Sequence, residues 1–135
     1  MDFVLQNIWL ILLTVASGFM LFGSGFMAKL SGIKQVGPQE AVMLLNQDAL
    51  ILDVRENSEF KDGHITKARH IPLSQVAKRV SELDKYKERP IVAVCRSGSR
   101  SGHACSTLRR AGFTNVSNLA GGMAAWNRAG LPIEK

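Results

Sequence analysis

Two short apolar runs stand out along the chain: ALILDV at 49–54 and PIVAVC at 90–95. Neither alternates with polar positions, so each predicts a strand covered on both faces. Between and around them the apolar period lengthens. Pro38 suits the first turn of a helix over PQEAVMLLNQ, with Ala41, Val42, Leu44 and Leu45 on its apolar side. ENSEFKDG predicts a brief helix stopped by Gly63, and HITKARHIPL a further extended segment broken at Pro72. SQVAKRVSELDKY repeats Val76, Val80 and Leu83 at helical spacing, with Ser74 as its cap. A helix over about 101–110 aligns Ala104, Cys105, Leu108 and Ala111. TNVSNL is a third short strand, and GGMAAWNRAG a closing helix that ends near Gly130. Strands alternating with helices predict an α/β fold with a mainly parallel central sheet flanked by helices. This domain spans 37–135, and the 29–36 stretch ahead of it reads as a linker.

The first 28 residues follow another pattern. From Phe3 to Ala28 there is no charged side chain. As a helix, Ile8 to Met27 would span roughly 30 Å, the thickness of a bilayer core, so residues 1–28 are expected to form one transmembrane anchor. Trp9 near one end suits the headgroup layer. Gly18, Gly23, Ser24 and Gly25 are too irregularly spaced for a helix-dimer motif. A cleaved signal peptide is the competing reading. It lacks a basic n-region, since Asp2 is the sole charge ahead of the run, although Gly23-Ser24-Gly25 would pass as a cleavage site. Lys29 and Lys34 follow the span and no Lys or Arg precedes it, which places the C-terminal domain in the cytoplasm, on a single-pass inner-membrane protein.

All 17 Lys and Arg but only 10 of the 11 acids lie after residue 28, leaving that part with a formal charge near +7. Such a domain is compatible with anionic lipid and favours anionic substrates, although solubility alone accounts for the charge equally well. No basic-aromatic platform or zinc-finger spacing points to nucleic acid. The three histidines, His64, His70 and His103, have no metal-ligand spacing, and no cofactor is implied. Two cysteines, Cys95 and Cys105, are too few for a disulfide framework and agree with a reducing compartment.

Cys95 ends a buried strand and opens the loop CRSGSRS, just ahead of a helix N-terminus. Ligands of open α/β sheets bind beyond the carboxyl ends of strands. There the helix dipole and inward-facing backbone N–H groups favour an anion, and Arg96 and Arg100 add full positive charge. The thiol is therefore expected to titrate below its free value of about 8.5 and to act as a nucleophile. Gly98 lets the loop curl, and Ser97 and Ser99 are small hydrogen-bond donors. The plainer alternative is a cysteine that only fills the core, which does not call for two guanidiniums beside it. Cys105 shares the apolar face with Ala104 and Leu108 and reads as core packing, and Trp126 as a core residue of the last helix.

CRSGSRS at 95–101 resembles the active-site loop of rhodanese-type sulfurtransferases. LDVRENSEFKDGHITKARHIP, 52–72, resembles the upstream signature of that family, and LAGGMAAWNRAGLPIE, 119–134, its C-terminal one. The likeness covers about residues 36–135. One anchor joined to one such domain is also similar to a group of bacterial membrane-tethered rhodanese-like proteins. The resemblance implies a rhodanese-like fold and a thiosulfate sulfurtransferase reaction. Thiosulfate or another sulfane donor would leave one sulfur on Cys95 as a persulfide, and a thiol or cyanide would remove it. Arg96, Ser97, Gly98, Ser99 and Arg100 would bind the donor anion, Asp53 and Arg55 would support the loop, and Glu59 and His64 would be structural. Cys95 to Arg100 is Cys-x4-Arg, one residue shorter than the Cys-x5-Arg cradle of tyrosine phosphatases, and suits one sulfur better than a phosphate. The alternative is a tethered binding or scaffold module for a membrane-protein partner, as rhodanese-like domains without catalytic loops resemble.

Overall fold

The computed structural model describes residues 2–18 and 33–135, in two units, Met1–Gly32 and Ile33–Lys135. In the first unit, helix α1 (Asp2–Gln6) gives way at Asn7 to helix α2, which covers 8–18. Its apolar side chains are exposed on every side, Trp9, Leu12, Leu13 and Val15 among them. Among the described residues no helix is long and apolar enough to cross a membrane. The span expected from the sequence runs on through 19–28, which lies outside the described residues.

The second unit alternates strand and helix: β1 (Lys34–Val36), α3 (Pro38–Asn46), β2 (Leu50–Asp53), α4 (Asn57–Lys61), β3 (His64–Ile65), β4 (Arg69–His70), α5 (Leu73–Arg79), β5 (Ile91–Val94), α6 (Ser99–Arg110), β6 (Val116–Leu119), α7 (Gly122–Arg128) and β7 (Ile133–Glu134). The main sheet has the order β1-β6-β5-β2-β4, and every pairing in it is parallel. β3 and β7 form a separate antiparallel pair.

The continuous apolar runs have the expected cause. Successive residues of a strand face opposite sides, and each side here meets helices. Leu52, Val54, Ala93 and Cys95 join Val76 of α5 and Ala104 and Leu108 of α6 in one buried cluster. Ile51, Val92 and Val94 join Ala41 of α3 and Met123 and Trp126 of α7 in the other. Cys95 is thus the last inward position on the α6 side of the central strand.

Three expectations need correction. The 29–36 stretch is not all linker, because β1 lies in it and pairs with β6 through Lys34–Ser117 and Val36–Leu119. Of its three residues only Val36 is buried, as suits an edge strand, so no apolar run marks it. Ser74 is not a cap. α5 starts at Leu73 with Pro72 in the cap position, and the segment continues past Arg79 as a 3₁₀ turn over Val80–Tyr86. HITKARHIPL is two separate two-residue strands, β3 and β4, which belong to different sheets.

Candidate active site at the carboxyl end of the central strand

β5 ends at Val94, and the chain turns through Cys95 to Gly98 before α6 begins at Ser99. Gly98 has a φ of 105°, which a side chain would strain, so glycine is what allows the turn to close. The turn folds back on its own thiol. The Gly98 N–H donates to Cys95 Sγ at 3.0 Å, and the Ser101 hydroxyl lies 3.3 Å from the same sulfur. Cys95 itself is fully buried at the floor of the loop.

The electrostatics follow from this cradle. Burial is the largest single influence on the Cys95 thiol and works against its charge. Hydrogen bonds from the Ser101 hydroxyl and from the backbone N–H groups of Ser101, Gly98 and Ser97 outweigh it, and the thiol titrates below its ordinary range. The direction agrees with the expectation from sequence, but the cause does not. The two arginines are not among the leading influences on Cys95. Cys105 goes the other way: burial, with the charge of Cys95 next, pushes its thiol up to about 12. It is fully buried and faces the Ser117 carbonyl oxygen at 3.5 Å.

The arginines occupy different positions. Arg100 is held by Glu59 of α4, with Nη1 donating to Oε1 at 2.7 Å and Nη2 to Oε2 at 2.9 Å. That hydrogen bonding brings the Glu59 carboxyl down to about 2 and raises Arg100. Glu59 is therefore a direct neighbour of the loop. Arg96 is exposed and opens onto a cleft of about 390 Å³ beside the loop, shared with Arg55, Glu59, Asp62, Met123 and Asn127. Ser97 and Ser99 lie exposed on the loop rim.

The upstream residues form a support. Arg55 and Asp53 are a buried ion pair at 2.7 Å, and Arg55 Nη2 also donates to the Gly63 carbonyl at 2.8 Å. The Phe60 ring is stacked between His64 and His70, at 3.8 and 4.4 Å. His64 Nδ1 contacts the Phe60 carbonyl at 2.8 Å, and His70 Nε2 the Arg55 carbonyl at 2.7 Å. His103 is exposed on α6, away from these contacts.

A cysteine on a backbone N–H cradle, framed by both flanking signatures, agrees with the family comparison: residues 37–129 match the rhodanese-like domain. The chain belongs to this family. It is 43% identical over 101 residues to an uncharacterised protein of Synechocystis sp., slr1261, a match that takes in 74% of this chain and 55% of that protein. A sulfurtransferase of Allochromatium vinosum is 42% identical over 87 residues, 64% of this chain and 79% of its own. The thiosulfate sulfurtransferase GlpE of Pseudomonas fluorescens is 33% identical over 107 residues, 78% and 94% of the two chains. Among solved structures, a rhodanese-related protein of Thermoplasma volcanium superposes with a TM-score of 0.68 at 25% identity, covering 75% of this chain and 97% of that one.

In this rhodanese-like domain the loop is held by residues that sequence reasoning passed over. Asn118 of β6 donates from Nδ2 to the Gly98 carbonyl at 2.9 Å and accepts at Oδ1 from Ser101 Oγ. The same Nδ2 lies 3.2 Å from Gln35 Oε1 on β1. A signal for Asn118 was present, because a polar Ser-Asn pair inside a short parallel strand has to be satisfied locally. Gly122 was another. A Cβ there would fall on the carbonyl groups of Cys95 and Arg96.

Proposed function

We propose that the protein is a membrane-anchored sulfurtransferase of the rhodanese type that carries sulfane sulfur as a persulfide on Cys95. The Cys95 thiolate attacks the outer sulfur of thiosulfate or a similar donor. An Sγ–S bond forms, the donor's S–S bond breaks, and sulfite leaves with the electron pair. A thiol or cyanide acceptor then takes the outer sulfur and returns the thiolate. The observation that carries this reading is the cradle: Sγ accepts the Gly98 N–H, the Ser101 hydroxyl lies 3.3 Å from it, and the thiol titrates below its ordinary range.

Arg96 is an exposed cation on the cleft, and it would steer the donor's oxyanion end. Arg100 would act at the loop's flank through the N–H groups that Glu59 leaves unused. Glu59 engages both terminal nitrogens of Arg100, which argues against that guanidinium acting as a phosphate clamp and favours sulfur over phosphoryl transfer. Residues 3–28 would insert in the cytoplasmic membrane, with the rhodanese-like domain on the cytoplasmic side and within reach of a membrane-protein partner. The uncharged run from 3 to 28 and the exposed apolar sides of α2 support that placement.

The test is the intact mass of the full chain in mild detergent after incubation with thiosulfate. Gain of one sulfur, removed by cyanide and absent in Cys95→Ser, is the expected result. A folded chain that no sulfane donor loads would end the sulfurtransferase reading and favour the binding module. Release from membranes by detergent but not by concentrated salt is expected of the anchor, and release by salt would overturn it.

A further inference from the structure

The buried Ser101 hydroxyl has two acceptors within reach, Cys95 Sγ at 3.3 Å and Asn118 Oδ1, but only one proton to give. The direction of the Asn118 amide is fixed from its other end, because Nδ2 must face the carbonyl oxygens of Gly98 and Gln35. Oδ1 is therefore an acceptor only. Ser101 is in the first turn of α6 and Asn118 is on the neighbouring strand, and both are buried, so neither side chain has room to leave. What can change is the rotation of one O–H bond.

We propose that Ser101 is a catalytic residue of the transfer cycle, its hydroxyl proton turning from Asn118 to Cys95 Sγ whenever that sulfur carries the charge, with Asn118 as the positioning residue that takes it back. This rests on the persulfide chemistry of Cys95. In the resting thiol, S–H donates to Ser101 Oγ and the hydroxyl donates to Asn118, so every group is paired. In the persulfide, the charge is on the outer sulfur, Sγ is a neutral and weak acceptor, and the hydroxyl stays on Asn118. During discharge the acceptor thiolate bonds to the outer sulfur, the Sγ–S bond breaks, and its electron pair returns to Sγ. Charge appears on Sγ at that moment, and the Ser101 proton turns to meet it. The hydrogen bond is thus stronger in the discharge transition state than in the persulfide ground state, which is the condition for accelerating that step. No oxidant or reductant is required: a persulfide anion and a thiolate become a new persulfide anion and the Cys95 thiolate.

The same bond has an opposite effect on loading. It raises the fraction of thiolate at neutral pH but holds the nucleophile back once it has ionised. Removing the hydroxyl is therefore expected to slow discharge far more than loading, a split that a merely structural residue would not produce.

The experiment compares the full chain with Ser101→Ala and Ser101→Thr, following discharge of the preloaded persulfide to cyanide and, separately, the thiolate absorbance against pH. Alanine is a favourable helix residue and leaves one oxygen's space, so the first variant is expected to fold. In it, discharge should fall about tenfold or more and the thiolate midpoint should rise by about one pH unit. Loading by thiosulfate above that midpoint should stay within about threefold, and Ser101→Thr should restore discharge. In Ser101→Ala, discharge within about twofold of the parent, together with a midpoint within about 0.3 pH unit of it, would overturn the proposal. If the parent chain takes up no sulfur, the persulfide reading fails at that point. The absorbance arm still decides whether Ser101 stabilises charge on Sγ.

Discussion

The backbone N–H of Met123 donates to the carbonyl oxygen of Cys95 across 2.8 Å, and that of Ala124 to Arg96 at 3.1 Å. The first turn of a helix has N–H groups with no partner of their own, and here the active loop supplies them. Both loop carbonyls are thereby drawn toward α7, and the amide that follows them, the Gly98 N–H, faces the sulfur. α7 and the loop come close enough to do this because Gly122 has no side chain.

Gly122→Ala is consequently expected to damage the loop before the rest of the fold. The new Cβ would collide with the carbonyls of Cys95 and Arg96, and its φ of 54° is poorly tolerated by alanine. A loss of about 2–4 kcal/mol is expected in urea unfolding, with sulfur loading nearly abolished in the fraction that stays folded. Parent-like loading would show that the α7 contact does not shape the cradle.

Cys105 tests the division of labour between the two thiols. Cys105→Ala should load one sulfur just as the parent does, read by intact mass. Its pH signature should differ. A thiol raised to about 12 in the fold but ionising near 8.5 when unfolded binds more proton in the native state across that interval. Stability therefore falls as pH rises through it, by up to about 1.4 kcal/mol per pH unit. Denaturant melts from about pH 8 to 10 should show this decline in the parent and lose it in Cys105→Ala.

The central strands were legible because both faces of β2 and β5 are covered, so the runs at 49–54 and 90–95 contain little else than apolar residues. β1 was not, since Lys34 and Gln35 are exposed polar residues and only Val36 is buried. Cys95 was legible from its place between a strand and a helix. Its partners were not, because Ser101 is six residues on and meets the sulfur only when the first turn of α6 folds behind the loop. Asn118 is distant in sequence and reaches the loop only when β6 pairs with β5, Ala93 facing Asn118. The position of Arg100 has the same explanation, as Glu59 meets it from 41 residues upstream.

Glu59→Gln should reveal what that ion pair contributes. The Glu59 carboxyl is at about 2 in the fold and near 4.3 unfolded, so its contribution is complete above the unfolded value and disappears as pH falls through the folded one. Both groups retain partial exposure, 28% for Glu59 and 33% for Arg100. Allowing for solvent screening, a difference of about 1 kcal/mol is expected between parent and variant at neutral pH. It should shrink between about pH 4.5 and 2. Glu82 is also lowered, to about 2, and titrates in the same window, so the parent-minus-variant difference is the quantity to follow. A difference that is flat across that window would mean that Arg100 does not depend on Glu59.

Asp53 and Arg55 present the harsher case. Their pair is buried, at 1% and 8% side-chain exposure, and three Arg55 nitrogens, including its backbone N, reach the carboxylate. Removing one partner leaves a charge inside the fold with no partner, which costs about 3–5 kcal/mol. Arg55→Ala should therefore be severely destabilised in urea. It also releases the Gly63 carbonyl, which Arg55 holds at 2.8 Å. Arg55→Ala combined with Asp53→Ala should recover part of the loss, because no buried charge then remains. The double variant should still load sulfur on Cys95, at a reduced rate, since neither side chain touches Sγ. A double variant no more stable than Arg55→Ala alone would show that the pair acts through the Gly63 contact and not through its charge.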